Sequence, residues 1–201
     1  MIRYLRPILS LPAAYQLWWK MVGGSDVAKV LVNEYVQPKA GARILEIGCG
    51  PATIVGYLPP SDYLGFDLSP EYVELAKRRF PKARFVCERV SQFSLAKEES
   101  FDVVLAFGIV HHLEDAEARQ LFQIAYDALR PGGKLVTMDG VWANGQSPAA
   151  RWLLARDRGE YVRSKNEYVG IANQVFSNIK PSVRHDLLRI PYTHLILECI
   201  R

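Results

Sequence analysis

Residues 45–52 read LEIGCGPA, and residues 63–67 read YLGFD, an apolar run that ends in an acidic residue. The apolar residues before Gly48 are of the strand type, while Gly48 and Gly50 permit a tight turn and the close approach of a ligand to the backbone. Asp67 follows Glu46 at about the ~20-residue interval at which a second parallel strand delivers a carboxylate to ribose hydroxyls. The pattern predicts a site for a nucleoside-containing cofactor, and an ordinary strand-to-helix turn is the alternative.

The chain has 201 residues, the length of one ordinary domain. We therefore predict a single domain over residues 1–201, with an N-terminal helical cap at 1–40 and a helical, lid-like insertion at 141–180. A hydrophobic fraction of 49% is typical of a soluble globular protein. The net charge of +4 is spread along the chain and outlines no groove for a nucleic acid strand.

Cysteine use and the N-terminus indicate a cytoplasmic location. The three cysteines, Cys49, Cys87 and Cys199, are odd in number and lack metal-ligand spacing, so we predict reduced thiols and no metal site. The apolar stretch at residues 8–19 is interrupted by Pro12 and is too short to span a bilayer. Membrane contact through an amphipathic surface helix is the less favoured alternative.

Strand-like and helix-like segments alternate along the chain, which indicates parallel βαβ units. The predicted strands are residues 43–47, 62–66, 83–87, 101–107 and 134–138, followed by a closing hairpin of 184–190 and 194–200. The predicted helices are residues 26–36 with Ser25 as N-cap, 53–57, 69–79, 114–129 and 147–158, and one that opens with a capping box at Ser164 and Glu167.

Three motifs resemble those of the class I S-adenosylmethionine-dependent methyltransferases, in the small-molecule, methyltransferase type 11-like branch. They are EIGCG at residues 46–50 together with Asp67, FDVVLA at 101–106 followed by HHL at 111–113, and LRPGGK at 129–134. The resemblance covers residues 41–200. It implies an α/β fold with a Rossmann-like, seven-stranded, mostly parallel sheet, an antiparallel last strand and helices on both faces.

The resemblance also implies S-adenosyl-L-methionine as the cofactor and a set of contact residues. Gly48 and Gly50 would flank the methionine part, with Glu46 near its amino group. Asp67 would accept hydrogen bonds from the ribose, and Leu68 would pack on adenine. The complete expected set is Glu46, Ile47, Gly48, Cys49, Gly50, Asp67, Leu68, Glu88, Arg89, Val90, Ala106 and Phe107.

The adenine side departs from the family pattern. An acidic residue usually follows the third strand, and here that position holds Arg89. Either Glu88 takes its place, or the backbone of Arg89 and Val90 reads the adenine. This departure keeps open a protein that binds the cofactor or a nucleoside without transferring a methyl group.

Two histidines follow the carboxyl end of the fourth strand, the edge at which ligands bind in open parallel sheets. An imidazole titrates near neutrality, so His111 and His112 are the candidate general bases for a hydroxyl, phenol or amine acceptor. The alternative is that one caps the next helix and the other packs. On this ground we predict methyl transfer to a small molecule, at oxygen in preference to nitrogen or carbon.

The candidate acceptor-binding residues lie at the two ends of the chain: Tyr15, Trp19, Arg189 and Tyr192, with His194 as a further candidate beside Tyr192. An ordinary polar hairpin turn is the alternative for the last three. The segment 151–165 carries five basic and two acidic residues, and a basic lid would favour an anionic acceptor, although a solvated helix face is equally compatible. The sequence does not indicate the oligomeric state.

Two rival functions fit the sequence less well. A nicotinamide-dependent oxidoreductase would need a third glycine where Thr53 stands. A nucleic acid methyltransferase that modifies base amino groups commonly carries an Asn/Asp-Pro-Pro-aromatic motif, where this chain has AFGI at residues 106–109. We therefore expect no nucleic acid partner.

Overall fold

The computed structural model describes residue 17 and residues 19–93, 100–157 and 159–201, and its strands form one mixed sheet. The strands are β1 (Arg43–Ile47), β2 (Asp62–Asp67), β3 (Arg84–Cys87), β4 (Phe101–Phe107), β5 (Leu129–Trp142), β6 (Arg163–Ser164), β7 (Asn178–Arg184) and β8 (His194–Ile200). Their order is β3-β2-β1-β4-β5-β8-β7, and the two-residue β6 pairs with β5 beside this path. β1 to β5 are parallel, whereas β8 is antiparallel to both β5 and β7.

Helices connect the strands. They are α1 (Gly24–Val30), which continues as a π-helical segment (Leu31–Val36), α2 (Pro70–Arg79), α3 (Asp115–Ala128), α4 (Pro148–Leu154) and α5 (Lys165–Ala172), with 3₁₀ turns at Thr53–Tyr57 and Val110–His112. The predicted caps are confirmed at Ser69 and Ser147, and Ser164 forms the predicted capping box with Glu167. No helix in the described part of the chain is long and apolar enough to cross a membrane.

The sheet is covered on both faces because alternate residues of each strand point to opposite sides. Leu45 on β1 belongs to a core that includes α3 and α5, through residues such as Phe122 and Tyr168. Ile44, its neighbour, belongs to a second core that includes Val27 of α1. The predicted α/β architecture with an antiparallel last strand is thus confirmed.

The first strand of the closing pair was predicted wrongly. The strand is β7, Asn178–Arg184, rather than residues 184–190. Its sequence, NIKPSVR, lacks the apolar pattern of a strand. β7 is an edge strand, where proline and charged side chains are tolerated. The apolar residues that suggested a strand include Leu187, which is buried against the second core instead.

Two helix limits also differ from the predictions. The N-cap of α1 is Gly23, at φ +96°, rather than Ser25. Helix α4 ends at Leu154 rather than near residue 158. The chain leaves the helix there and brings Asp157 back towards β8, where its carboxylate accepts a hydrogen bond from Tyr192.

Candidate active site

The glycine turn after β1 has the shape that a ligand-binding loop needs. Gly48 and Gly50 have positive φ angles of +69° and +50°. A Cβ on Gly48 would lie 2.5 Å from Ile109 Cδ1, so a side chain there is excluded, whereas the Cβ direction of Gly50 is open to 4 Å. The amides of Gly48 and Cys49 both donate to the carbonyl of Phe66 at 2.9 Å, which fixes the turn against β2.

Asp67 connects this turn to the next helix. Its Oδ2 accepts a hydrogen bond from the Gly50 amide at 2.8 Å, and its Oδ1 accepts one from the Ser69 amide at 2.8 Å. Burial raises the pKa of Asp67. The carboxylate therefore stands at the carboxyl end of β2, beside the open side of Gly50, with lone pairs left for further donors.

Glu46 lies beneath the turn, with 4% of its surface exposed. Its carboxyl group accepts a hydrogen bond from the Tyr63 hydroxyl. Burial raises the pKa of Glu46 to about 8. The side chain is therefore neutral at pH 7 until a cation approaches it.

Glu88, and not Arg89, is the residue directly after β3, where the family resemblance implies a contact with adenine. The Glu88 amide donates to the Asp67 carbonyl at 3.0 Å, and Glu88 Oε1 accepts from the Arg89 amide. Arg89 is exposed, Val90 is buried, and Leu68 has 57% of its surface exposed. A carboxylate and an exposed leucine thus flank the end of β2 and β3.

The end of β4 contributes little polar chemistry. Ala106 is fully buried in the first core, and Phe107 is partly buried against the second. The amide of Gly108 donates to the Met138 carbonyl at 2.7 Å, which continues the contact with β5 beyond the strand. Ala106 and Phe107 are apolar, and the 3₁₀ turn at Val110–His112 follows them in the chain.

His111, in that turn, lies between two carboxylates. Its Nδ1 is 2.8 Å from Asp139 Oδ1, and its Nε2 is 3.4 Å from Asp157 Oδ1. Burial alone would lower the pKa of His111, but its hydrogen bonds to the carboxylates outweigh this and raise it to about 9. The two carboxylates therefore favour the imidazolium form of His111 near neutral pH.

Tyr192 completes the group of residues around His111. Its hydroxyl donates to Asp157 Oδ2 at 2.7 Å, and its ring lies 4.8 Å from the ring of His194. Burial lowers the pKa of His194 to about 4, so this imidazole is neutral. The hydrogen bond from His111 holds the pKa of Asp157 well below its usual range, against the effect of burial. We call Asp139, His111, Asp157, Tyr192 and His194 the acceptor cluster.

Sequence reasoning missed two members of the acceptor cluster, Asp139 and Asp157. Asp139 was detectable as the one acidic residue of β5, within the mostly apolar run at residues 135–142. Asp157 carried no local signal, because it lies in an irregular segment. His112 is exposed, with its ring 4.2 Å from the ring of His111.

Two of the other predicted residues, Arg189 and Trp19, make their contacts outside this cluster. Arg189 donates to Asp26 at 3.0 Å and so fastens the β7–β8 connection to α1. Trp19 packs against the second core and over Gly24. Tyr15 lies outside the described residues.

Two basic side chains of the segment 151–165 make contacts within the protein itself. Arg163, which is buried, donates to the carbonyls of Val110 and Leu113 and to the carboxylate of Asp115. Arg156 lies over the ring of Trp152 at 4.0 Å. In the described part of the chain, no group of histidine, cysteine and acidic residues has the arrangement of a metal site.

Comparison with known proteins agrees with this geometry. Residues 44–133 match the model of a methyltransferase domain. Phosphoethanolamine N-methyltransferase 2 of Caenorhabditis elegans is 29% identical over 79% of this chain and 38% of its own length. The 27-O-demethylrifamycin SV methyltransferase of Amycolatopsis mediterranei is 36% identical over 50% of this chain and 39% of its own length. The chain thus spans less than two fifths of these two relatives.

A solved structure extends the similarity to nearly the whole fold. The crystal structure of a TehB-like SAM-dependent methyltransferase from Corynebacterium glutamicum superposes with a TM-score of 0.68 at 19% identity, covering 96% of this chain and 99% of that one. The glycine turn and Asp67 lie within the residues that match the sequence model of a methyltransferase domain. The same chain has the strand order β3-β2-β1-β4-β5-β8-β7. The chain thus resembles a methyltransferase domain in sequence over residues 44–133, and over nearly its whole length it shares the fold of a SAM-dependent methyltransferase.

Proposed function

We propose that this protein transfers the methyl group of S-adenosylmethionine to a small-molecule acceptor, at an oxygen atom in preference to nitrogen or carbon. The observation that carries the proposal is the placement of two features at one edge of the sheet. The glycine turn and Asp67 follow β1 and β2, while the acceptor cluster stands at the ends of β4 and β5. A cofactor held by the first would present its methyl group towards the second.

The cofactor would be bound as the family resemblance implies. The amides of the Gly48–Gly50 turn would face the methionine part, with Glu46 close to its amino group. Asp67 would accept from the ribose hydroxyls, and Glu88 would take the place of the family's acidic residue at adenine. The bound cofactor supplies the reactive methyl group, so the residues of this chain align the acceptor and exclude water.

Tyr192 is the member of the acceptor cluster suited to receive the acceptor. Its proton is donated to Asp157, so its phenol oxygen is left as a hydrogen-bond acceptor for a hydroxyl of the substrate. Burial raises the pKa of Tyr192 above its usual range, so the phenol stays protonated. His111 and Asp139 fix Asp157 in the position that orients this phenol.

The charge state of the cluster favours oxygen. His111 is already protonated, and the pKa of Asp157 is low, so neither group takes a proton readily. A hydroxyl that is more acidic than the tyrosine phenol, whose pKa is about 10, such as the enol of a 1,3-dicarbonyl compound, ionises with little help from a base. An alkylammonium with a pKa near that of lysine, about 10.4, would need a stronger base before it became a nucleophile.

Nitrogen is the second candidate, since one relative is named as an N-methyltransferase and another as an O-methyltransferase. The anionic acceptor expected from the basic segment loses its main support, because Arg163 is used within the fold. We further propose a cytoplasmic location, since all three cysteines are free thiols.

The test is a transfer assay with S-adenosylmethionine and matched sets of phenol, enol and primary amine acceptors, read by the formation of S-adenosylhomocysteine. We expect turnover with acidic hydroxyls. Tyr192→Phe should raise the acceptor KM at least tenfold and leave cofactor affinity unchanged, whereas Tyr161→Phe, at an exposed tyrosine, should change neither quantity. Cofactor binding without turnover of any acceptor would indicate the non-catalytic alternative, and turnover of amines alone would overturn the oxygen preference.

A further inference from the structure

Glu46 is a carboxyl group buried without a cation. Among the residues that the structure describes, no ion pair includes Glu46, and its carboxyl group accepts a hydrogen bond from the Tyr63 hydroxyl. A buried carboxylate without a countercharge is costly, so the neutral acid is the stable form. The full burial of Glu46 accordingly raises its pKa to about 8.

In the described parts of the chain, the groups that face Glu46 are few, and none of them is basic. β2 contributes Tyr63 and Asp67, and the glycine turn contributes Cys49. On β4 the register partner of Glu46 is Leu105, which is apolar. The helical layer over this face is also apolar where it packs on the second core, through Val27, Ala28 and Leu31.

The packing around Tyr63 holds its hydroxyl on Glu46. Gly65 lies between the Tyr63 ring and Cys49, and a Cβ there would be 3.0 Å from Tyr63 Cε1 and 2.9 Å from Cys49 Sγ. The ring of Phe85 packs beside the Tyr63 ring, with centroids 5.7 Å apart and an interplanar angle of 55°. The ring therefore has little room to turn away, and the Tyr63 hydroxyl is a fixed donor.

We propose that Tyr63 is a positioning residue for Glu46, and that S-adenosylmethionine binding releases one proton from this buried pair. The inference rests on the proposed function, in which Glu46 meets the α-ammonium group of the cofactor. On binding, the carboxyl O–H bond of Glu46 breaks and the proton leaves to the buffer. The carboxylate then pairs with the ammonium group, and the Tyr63 hydroxyl continues to donate to it.

Calorimetric titration at pH 6.5, in two buffers of different ionisation enthalpy, measures this proton. At that pH the cofactor's own α-amino group, with a pKa of about 7.7–8.0, is already protonated, so any proton released comes from the protein. We expect about one proton per cofactor for the native protein. Glu46→Gln should release none and bind at least tenfold more weakly, and its folding should be unaffected because it replaces a neutral acid with a neutral amide.

Tyr63→Phe tests the positioning role. Without the donor the carboxylate is less stable, so proton release should persist while the rise of cofactor affinity with pH moves to higher pH. Tyr35→Phe is the matched control, since Tyr35 is a buried tyrosine of the same core whose hydroxyl accepts from Arg184. A general loss of stability would lower the melting temperature of both variants but would not shift this profile.

The outcomes separate this inference from the function on which it rests. Binding of S-adenosylmethionine with no proton released would overturn the coupling and leave the methyltransferase proposal standing. A Tyr63→Phe profile equal to that of Tyr35→Phe would overturn the positioning role. Failure of the folded native protein to bind the cofactor at all would overturn both proposals.

Discussion

Asp157 Oδ1 lies 3.4 Å from His111 Nε2, the ring nitrogen that a general base would turn towards its substrate. The other nitrogen is engaged by Asp139, so the imidazole is held on both sides. Sequence alone placed His111 near the reaction centre as a base. The tertiary structure makes it instead a cation that fixes the carboxylate holding Tyr192.

The His111 contacts predict a loss of stability at alkaline pH. The pKa of His111 rises from 6.5 in the unfolded chain to about 9 in the folded protein. Its contribution is therefore complete below pH 6.5 and disappears as the pH rises through 9. A shift of this size corresponds to about 3 kcal/mol. Urea unfolding at pH 6 and pH 9.5 measures it.

His111→Gln is the control for that measurement, because glutamine keeps hydrogen-bonding capacity without the titration. The buried Glu46 also destabilises the folded protein as the pH rises from 4.5 to about 8, and this effect is common to both proteins. The native protein should therefore lose more unfolding free energy between the two pH values than His111→Gln does. Equal losses would show that His111 is neutral in the folded state.

Gly159→Ala should disturb the acceptor cluster without affecting the cofactor. A Cβ on Gly159 would lie 2.0 Å from His111 Cδ2 and 2.7 Å from the His111 carbonyl, so the segment must move off the imidazole. We expect the transfer rate to fall at least tenfold at unchanged cofactor affinity. Gly170→Ala is the control: its Cβ would meet nothing within 4 Å, and in α5 it should stabilise the protein by about 0.5–1 kcal/mol. Equal rates for the two variants would refute the role of this contact.

Asp67→Ala should weaken cofactor binding. The substitution removes the acceptor of the Gly50 and Ser69 amides as well as the proposed ribose contact. Hydrogen bonds to charged groups contribute about 1.5–3 kcal/mol, so the Kd should rise by about one to two orders of magnitude. Asp62→Ala, at the exposed start of the same strand, should leave the Kd unchanged in the same titration. An unaltered Kd for Asp67→Ala would contradict the ribose role.

Arg163→Ala should lower stability rather than substrate binding. The guanidinium group satisfies the carbonyls of Val110 and Leu113, and its loss leaves them without this donor. We expect the free energy of unfolding to fall by about 2–3 kcal/mol. Arg156→Ala, which removes a surface guanidinium over Trp152, should cost less than about 1 kcal/mol. An increase in acceptor KM at full stability would instead indicate a direct role of Arg163 at the substrate.

Much of the fold could be predicted because its signals are local. The strand β1, the glycine turn after it and the caps at Ser69 and Ser164 each depend on residues a few positions apart. Periodicity, φ preference and side-chain capping act over such distances, so they can be read in a single segment. β7 escaped prediction because its polar sequence is acceptable only at the edge of a sheet, and edge position is a property of the whole fold.

The sequence by itself determined the proposed cofactor half of the site, because Glu46, the glycine turn and Asp67 are carried by two successive strands. Only the tertiary structure decided the acceptor half. His111 and Asp139 are 28 residues apart, and Asp157 and Tyr192 are 35 apart. The pairing of β5 with β4 and β8, and the return of the chain after α4, bring these groups into contact. Their charges depend on that contact, because burial and neighbouring carboxylates set a pKa and no short stretch of sequence encodes either one.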